Sequence, residues 1–353
     1  MNRKWTSVLL SLGLIALAGA LLVYTFAHIR WQEVWSALSA LRLWQLLLLL
    51  LLNVGIVALF SARWWFLLRL QGFTVPFLAS VVYRLAGFGV SYLTPGPQFG
   101  GESWLVILLR RRHRVPVAEG SVSVALDKLI ELLANFSFLA FGLLISVQLG
   151  IAHPTLNIAL VAPLLALLSA PFLIFGALAG DILPASWLAA RWKPTSRLLS
   201  KPLRLIAAAE QRSASLIRRH LGRVIALYLY SLGIWLVMVA EYWLTLRFLG
   251  SDANLTQILF SLTAARLAFL TPLPGGVGAL EASQVTAFQV LGLGGSLGLS
   301  LAILQRGRDV LLASFGIGLG SLLHLHSPSS ATELPDLETL SPYPPFSLKE
   351  RKR

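Results

Sequence analysis

The chain has 353 residues, of which 56% are hydrophobic and only 12% charged, with a mean hydropathy of +0.75; this excludes an ordinary soluble domain and describes an all-α polytopic membrane protein. The net charge of +14 lies between apolar runs, so its partner is anionic membrane lipid and its role is orientation; no nucleic acid is implied. With no cysteine, six scattered histidines and no phosphate-cradling glycine loop, the sequence offers no disulfide, thiol nucleophile, metal site or cofactor site.

An apolar run from about Ser7 to Ala27 follows Arg3 and Lys4. It reads as an uncleaved first span with a cytoplasmic N-terminus, since it is too long for a signal-peptide core. His28 to Arg42 is short, tryptophan-rich and amphipathic, suited to the outer interface. Leu43 to about Leu68 runs inward and ends at Arg63-Trp64-Trp65 and Arg69, read as an aromatic belt with a basic flank. From Pro76 to Arg110 come an apolar arm, the break Thr94-Pro95-Gly96-Pro97 and a shorter arm ending in Arg110-Arg111-Arg112. Both ends of this unit lie on the basic side, which predicts a re-entrant hairpin opening from the cytoplasm.

Ala118 to Val147 runs outward and Thr155 to Ala179 returns. Between Gly180 and Gly222 eight basic residues face two acidic ones, the strongest cytoplasmic signal in the chain. Within this connection Leu198 to Arg219 reads either as an amphipathic surface helix or as a solvated basic loop. Arg223 to Leu249 runs outward. Leu255 to Thr271 and Val277 to Leu291 then form a second broken unit, flanked by uncharged or acidic loops and therefore opening from outside. Leu297 to His324 spans back, and residues 325–353, rich in Pro and Ser, read as a disordered cytoplasmic tail. The count is about six full spans plus two broken hairpins, with both termini cytoplasmic. If each arm crosses fully, the count becomes ten.

The two broken units repeat one order of parts. Arg84-Leu-Ala leads to Thr94-Pro95-Gly96-Pro97, then Gly100-Gly101-Glu102; Arg266-Leu-Ala leads to Thr271-Pro272-Leu273-Pro274, then Gly275-Gly276 and, after Gly278, Glu281. Proline removes a backbone donor and glycine removes the bias towards helix, so Pro95, Gly96, Pro97, Gly101, Pro272, Pro274, Gly275 and Gly276 are the candidate gate or hinge positions. Bare backbone at such a break must be shielded by protein or line a wet cavity. Opposed orientation of the two units predicts an inverted-topology repeat, about 43–179 against 223–324, an architecture suited to alternating access.

Charged residues inside apolar segments each cost about 2.5–3.5 kcal/mol at mid-bilayer. Asp127 and Glu131 share a helix face, Lys128 reaches Glu131, and Arg306 reaches Asp309 at the same spacing. Lys128, Arg308 and Glu241 read as internal ion pairs. Arg84, Arg266 and Arg306 stand beside or opposite the breaks, where a guanidinium fork grips phosphate oxygens; Glu102 and Glu281 balance them, receive an amine or carry a proton. Asp127, Glu131 and Asp309 are the other coupling candidates. His324 and His326 read as an interfacial pair, the tryptophans as interfacial anchors, and Gly316, Gly318 and Gly320 as a close-packing face.

The stretch Thr271-Pro-Leu-Pro-Gly-Gly-Val-Gly-Ala-Leu-Glu281, followed by Arg306, resembles the flippase-like transmembrane domain of lysylphosphatidylglycerol synthases and its stand-alone relatives. Pro95-Gly-Pro-Gln-Phe-Gly-Gly-Glu102 looks like that family's first motif, although Gln98 and Leu105 stand where relatives often carry basic residues. The resemblance covers about residues 5 to 324. It implies a prokaryotic inner-membrane protein, not an enzyme, that moves an anionic, aminoacylated, polyprenyl-linked or hopanoid-type lipid between leaflets, with Arg84, Glu102, Arg266, Glu281 and Arg306 as substrate-binding residues and a lipid-synthesising enzyme as a possible partner. The competing readings are a non-catalytic member of a lipid or glycan assembly and a membrane-embedded transferase using Asp127, Glu131 or Glu102.

Overall fold

A computed structural model describes residues 29–94, 100–148, 158–191, 197–271 and 273–325. The expected first span, the hinge positions Pro95, Gly96, Pro97 and Pro272, and the tail beyond Leu325 lie outside them. Within them the chain forms twelve α-helices and one short 3-10 turn, with no strand. In order these are α1 (Trp31–Ser39), α2 (Leu43–Leu70), α3 (Phe77–Leu93), α4 (Glu102–His113), α5 (Val117–Gln148), α6 (Ile158–Ala179), α7 (Pro184–Arg191), α8 (Arg197–Arg219), α9 (Leu221–Phe248), α10 (Leu255–Ala268), the turn Pro274–Gly276, α11 (Ala279–Val290) and α12 (Gly295–Leu325). Among the described residues three helices, Leu43–Leu70, Val117–Val147 and Leu221–Phe248, are long and apolar enough to cross a membrane. Phe77–Leu93 and Leu255–Ala268 are apolar but shorter, and α12 is long but carries Arg306, Arg308 and Asp309 at its middle.

The apolar runs form helices because leucine and its straight-chain neighbours lose little freedom there, and their faces then separate by partner. On α2, Leu43, Leu47 and Leu51 point outward, each more than half exposed, as expected of a lipid-facing surface. Its other face, with Asn53, Ile56, Arg63, Trp64 and Leu67, is buried. Helix α3 stops at Leu93 because Thr94 must be extended ahead of Pro95. Helix α4 ends with Arg110, Arg111, Arg112 and His113 in its last turn, where cations offset the exposed carbonyls. At the start of α10, Asn254 and Gln257 cap each other reciprocally at 2.9 Å.

The basic connection is helical, and the solvated-loop alternative does not hold. Ala214 and Ile217 of α8 are fully buried in an apolar cluster with Val122, Leu126 and Leu133 of α5 and Leu178 of α6. Glu210 accepts hydrogen bonds from the Ala185 and Ser186 amides at 3.1 and 2.7 Å, capping α7, while Arg212 pairs with Glu119 at 3.2 Å and Arg218 with Asp181 at 2.7 Å. At the opposite end α1 packs Val34 against Val285 and Leu299. The Glu33 carboxyl is held below its ordinary range by a hydrogen bond from Ser296, then by Arg30.

The tightest crossing joins α3 to α12. A Cβ added to Gly89 would come within 2.6 Å of the Ala313 carbonyl oxygen, and one at Gly316 would fall on the Leu85 carbonyl. Only glycine allows the two backbones so near, and the small-residue face expected around Gly316 is the one used. Gly318 meets open space. Gly316→Leu should therefore destabilise the protein by at least about 1–3 kcal/mol through overpacking, whereas Gly318→Ala should be neutral or stabilising by up to about 1 kcal/mol. The thermal midpoint in detergent reads both; equal losses would show that the crossing does not depend on the glycine.

Candidate functional site

At each helix break a carboxylate on the arm that follows accepts from a backbone amide. Glu102 Oε2 accepts from the Gly100 amide at 2.7 Å, and Glu281 Oε2 accepts from the Gly278 amide at 2.8 Å. These bonds satisfy amides just ahead of each arm, which its helix cannot bond itself. The other oxygen of each carboxylate reaches a cation on the next long helix: Glu102 Oε1 lies 3.8 Å from Lys128 Nζ, and Glu281 Oε1 lies 2.9 Å from Arg306 Nη2. At the second break Gly275 and Gly276 take positive φ values of 54° and 65°, which the turn requires.

Arg306 makes four hydrogen bonds. Its Nε and Nη2 donate to Glu281 Oε1 at 3.0 and 2.9 Å, and its Nη1 donates to the Tyr92 hydroxyl at 2.9 Å and to the Gly275 carbonyl at 2.5 Å. Tyr92 stands in the last turn of α3, so one guanidinium ties the end of the first arm to the second break. Neither Arg306 nor Glu281 lines the central cavity. Their hydrogen bonds run to each other, to Tyr92 and to Gly275 and Gly278 of the second break. The expected i,i+3 pair between Arg306 and Asp309 is also absent; Asp309 accepts instead from Arg308 Nε and Nη2, each at 2.9 Å.

The cavity has a volume of about 550 Å³ and is lined by α2, α3, α4, α5, α6, α9, α10 and α12. Two clusters of charge line it. In the first, Arg63 Nε donates to Asp127 Oδ1 at 2.7 Å and Arg63 Nη2 to Glu131 Oε2 at 3.2 Å; Arg84 Nη2 reaches Asp127 Oδ2 at 2.5 Å, and Lys128 pairs with Glu131 at 3.1 Å. In the second, Arg308 holds Asp309, donates to Asn53 Oδ1 at 3.0 Å and lies 3.6 Å from Glu241 Oε1.

The clusters are joined where α2 and α9 run antiparallel. Arg63 of α2 donates to Ser231 of α9 at 3.0 Å, and Asn53 of α2 donates to Glu241 of α9 at 3.0 Å. Both helices have 28 residues, Asn53 and Ser231 stand at matching places in them, and so do Arg63 and Glu241. The contact is reciprocal in position and opposite in charge.

Arg266 differs from every other cation of the cavity. It lies over the Trp235 ring at 5.0 Å, and no carboxylate among the described residues comes within ion-pair distance of it. Its Nε, like that of Arg84, is buried without a hydrogen-bond partner.

Of the sequence-predicted residues, Arg84, Glu102, Arg266, Asp127, Glu131 and Asp309 all line the cavity, together with Gly101. Lys128, Arg308 and Glu241 form the internal pairs expected of them. Arg63 departs from the membrane flank expected of it. It is not part of a cytoplasmic flank; its side chain is fully buried and holds two carboxylates, because α2 continues to Leu70 and places Arg63 well inside. Trp64 is likewise fully buried, its indole donating to Ser123 at 3.2 Å, and Trp235 stacks on Phe138, so neither is an interfacial anchor. The signal available in the sequence was the demand of Asp127 and Glu131 for a second cation besides Lys128.

The sequence profile of the lysylphosphatidylglycerol synthase TM region matches residues 6–316. The chain belongs to that family. Two family-sized relatives are archaeal: the UPF0104 membrane protein PH1989 of Pyrococcus horikoshii is 24% identical over 302 residues, covering 79% of this chain and 86% of its own length. A UPF0104 membrane protein of Methanothermobacter thermautotrophicus is 24% identical over 310 residues, covering 85% and 90%. No solved structure gives a significant match. In this member of the synthase TM-region family, Leu105 is buried in an apolar cluster with Trp64, Tyr83 and Ala86.

Removing Arg63 leaves buried carboxylates short of a shared cation, a change that costs about 3–5 kcal/mol. Arg63→Met should therefore lower the thermal midpoint sharply, whereas Arg69→Met, at the exposed end of the same helix over the Trp65 ring, should cost about 1 kcal/mol or less. Similar losses for both would place Arg63 outside the core network.

Proposed function

We propose that this protein is a lipid translocase, not an enzyme, in which the two broken hairpins are opposed gates on a central headgroup cavity and the chain is an inverted repeat. The observation that carries the reading is Arg266, an unpaired guanidinium in a cavity whose other cations are matched by carboxylates. A planar fork left without an anion in a low-dielectric site is suited to a phosphodiester. A cavity of about 550 Å³ has room for a headgroup but not for two acyl chains as well, so the chains stay in the bilayer.

The inverted repeat is supported by the reciprocal α2–α9 contacts, Arg63 to Ser231 and Asn53 to Glu241, and by the matching pairs Glu102–Lys128 and Glu281–Arg306. Antiparallel packing at equivalent positions is what a two-fold axis in the membrane plane produces. In this reading Arg84 and Glu102 assist Arg266 at the headgroup, while Arg306, Glu281 and the turn at Pro274, Gly275 and Gly276 set the second gate. The lipid is anionic, the membrane is the prokaryotic inner membrane with both termini cytoplasmic, and a lipid-synthesising enzyme is the natural partner.

The chain has no cysteine, so single cysteines at Gln98 and Val277 test the gates directly. They should label with an impermeant reagent from opposite sides of the membrane; labelling from one side removes the inverted repeat. Leaflet exchange of fluorescent phosphatidylglycerol in phosphatidylcholine proteoliposomes tests the activity. Arg266→Ala should slow exchange at least about tenfold, the equivalent of about 1.4 kcal/mol or more at the transition state, without loss of monodisperse protein.

A further inference from the structure

The cavity is charge-balanced before any ligand enters: five basic and five acidic side chains line it. A phosphodiester on Arg266 adds one negative charge that none of them offsets, in a place where net charge is strongly disfavoured. Neutrality is restored if one carboxylate takes up a proton with the lipid. The geometry points to Glu241 as that carboxylate, making the movement of an anionic headgroup a proton-coupled one; this inference rests on the translocase reading above.

The other carboxylates are each met by close cations or a backbone donor. Asp127 faces two guanidiniums at 2.7 and 2.5 Å, Glu131 faces Lys128 at 3.1 Å and Arg63 at 3.2 Å, and Asp309 takes both Nε and Nη2 of Arg308 at 2.9 Å. Glu102 is about a third exposed and accepts a backbone hydrogen bond. Glu241 is buried, and its one ion-pair contact, with Arg308, is 3.6 Å long. Arg308 cannot improve it, since its short hydrogen bonds go to Asp309 and Asn53.

The groups facing Glu241 are Asn53 on α2, Arg308 and Asp309 on α12, Arg266 on α10 and its own neighbour Tyr242, whose hydroxyl is occupied by Gln284 at 2.6 Å. Asn53 Nδ2 donates to Oε1, whereas Oε2 makes no hydrogen bond among the described residues. That oxygen is where a proton binds. As a neutral acid it can donate to a headgroup oxygen, while Asn53 continues to donate to Oε1. The proton comes from the water on the loading side and leaves to the water on the release side when the headgroup departs, so one lipid anion and one proton cross together and no bond of the lipid changes.

The test uses the full chain in detergent. Phosphatidylglycerol is titrated into weakly buffered protein near pH 7 while bound lipid and pH are followed together. The native protein should take up about one proton per lipid bound, and Glu241→Gln should bind the lipid with none. In proteoliposomes, an imposed pH gradient should drive net movement of fluorescent phosphatidylglycerol in the native protein but not in Glu241→Gln. Lipid binding without proton uptake, or equal uptake in the variant, overturns the coupling at Glu241 while leaving translocation standing. No binding of phosphatidylglycerol by a monodisperse native protein overturns the anionic-headgroup reading and the coupling with it.

Discussion

The structure depends on keeping charge buried without leaving it alone. An isolated ion inside a low-dielectric interior costs several kcal/mol, and removal of one member of a buried pair leaves that cost exposed. Arg63, Asp127, Arg84 and Glu131 meet this constraint by sharing partners across α2, α3 and α5, and Arg308, Asp309, Glu241 and Asn53 meet it across α12, α9 and α2. Each cluster therefore fixes the register of three helices at once. Apolar packing alone, among leucines that face lipid as readily as one another, would allow those helices to slide.

The second constraint comes from the breaks. A helix interrupted inside an apolar layer exposes donors and acceptors that lipid cannot satisfy. Glu102 and Glu281 each cap the arm that follows, and each is in turn held by a cation from the next long helix. Arg306 goes further, joining Tyr92 of the first arm to Gly275 of the second break, so the two interruptions are mechanically connected through one side chain. A movement of either segment must rearrange this guanidinium.

Membership of the lysylphosphatidylglycerol synthase TM-region family agrees with an all-helical protein carrying a polar centre within apolar surroundings. The archaeal relatives match along most of their own length, so the shared unit is the helical domain itself. What distinguishes the centre of this chain is the contrast between ion pairs that are closed and two groups that are not: Arg266, a cation without an anion, and Glu241, an anion poorly served by its cation.

Membrane class, the positions of the long helices to within a few residues, the two breaks and the polar residues around Arg84 and Arg266 were legible in the sequence, because hydropathy, proline and glycine act locally. So was the pairing of Lys128 with Glu131, which one helical turn dictates. The role of Arg63 was not legible: a basic residue near aromatic ones looks like a membrane flank until the neighbouring helices are placed. The bonds by which Arg306 joins Tyr92 to Gly275 and Glu281 were not legible either, because only packing brings those segments together. The partnership of Arg308 with Asp309, Asn53 and Glu241 was equally hidden, since three helices meet there. The sequence by itself determined which segments break and which charges need company; tertiary structure decided the partners, because ion pairs between helices depend on distances that the chain sets only when its distant segments come together.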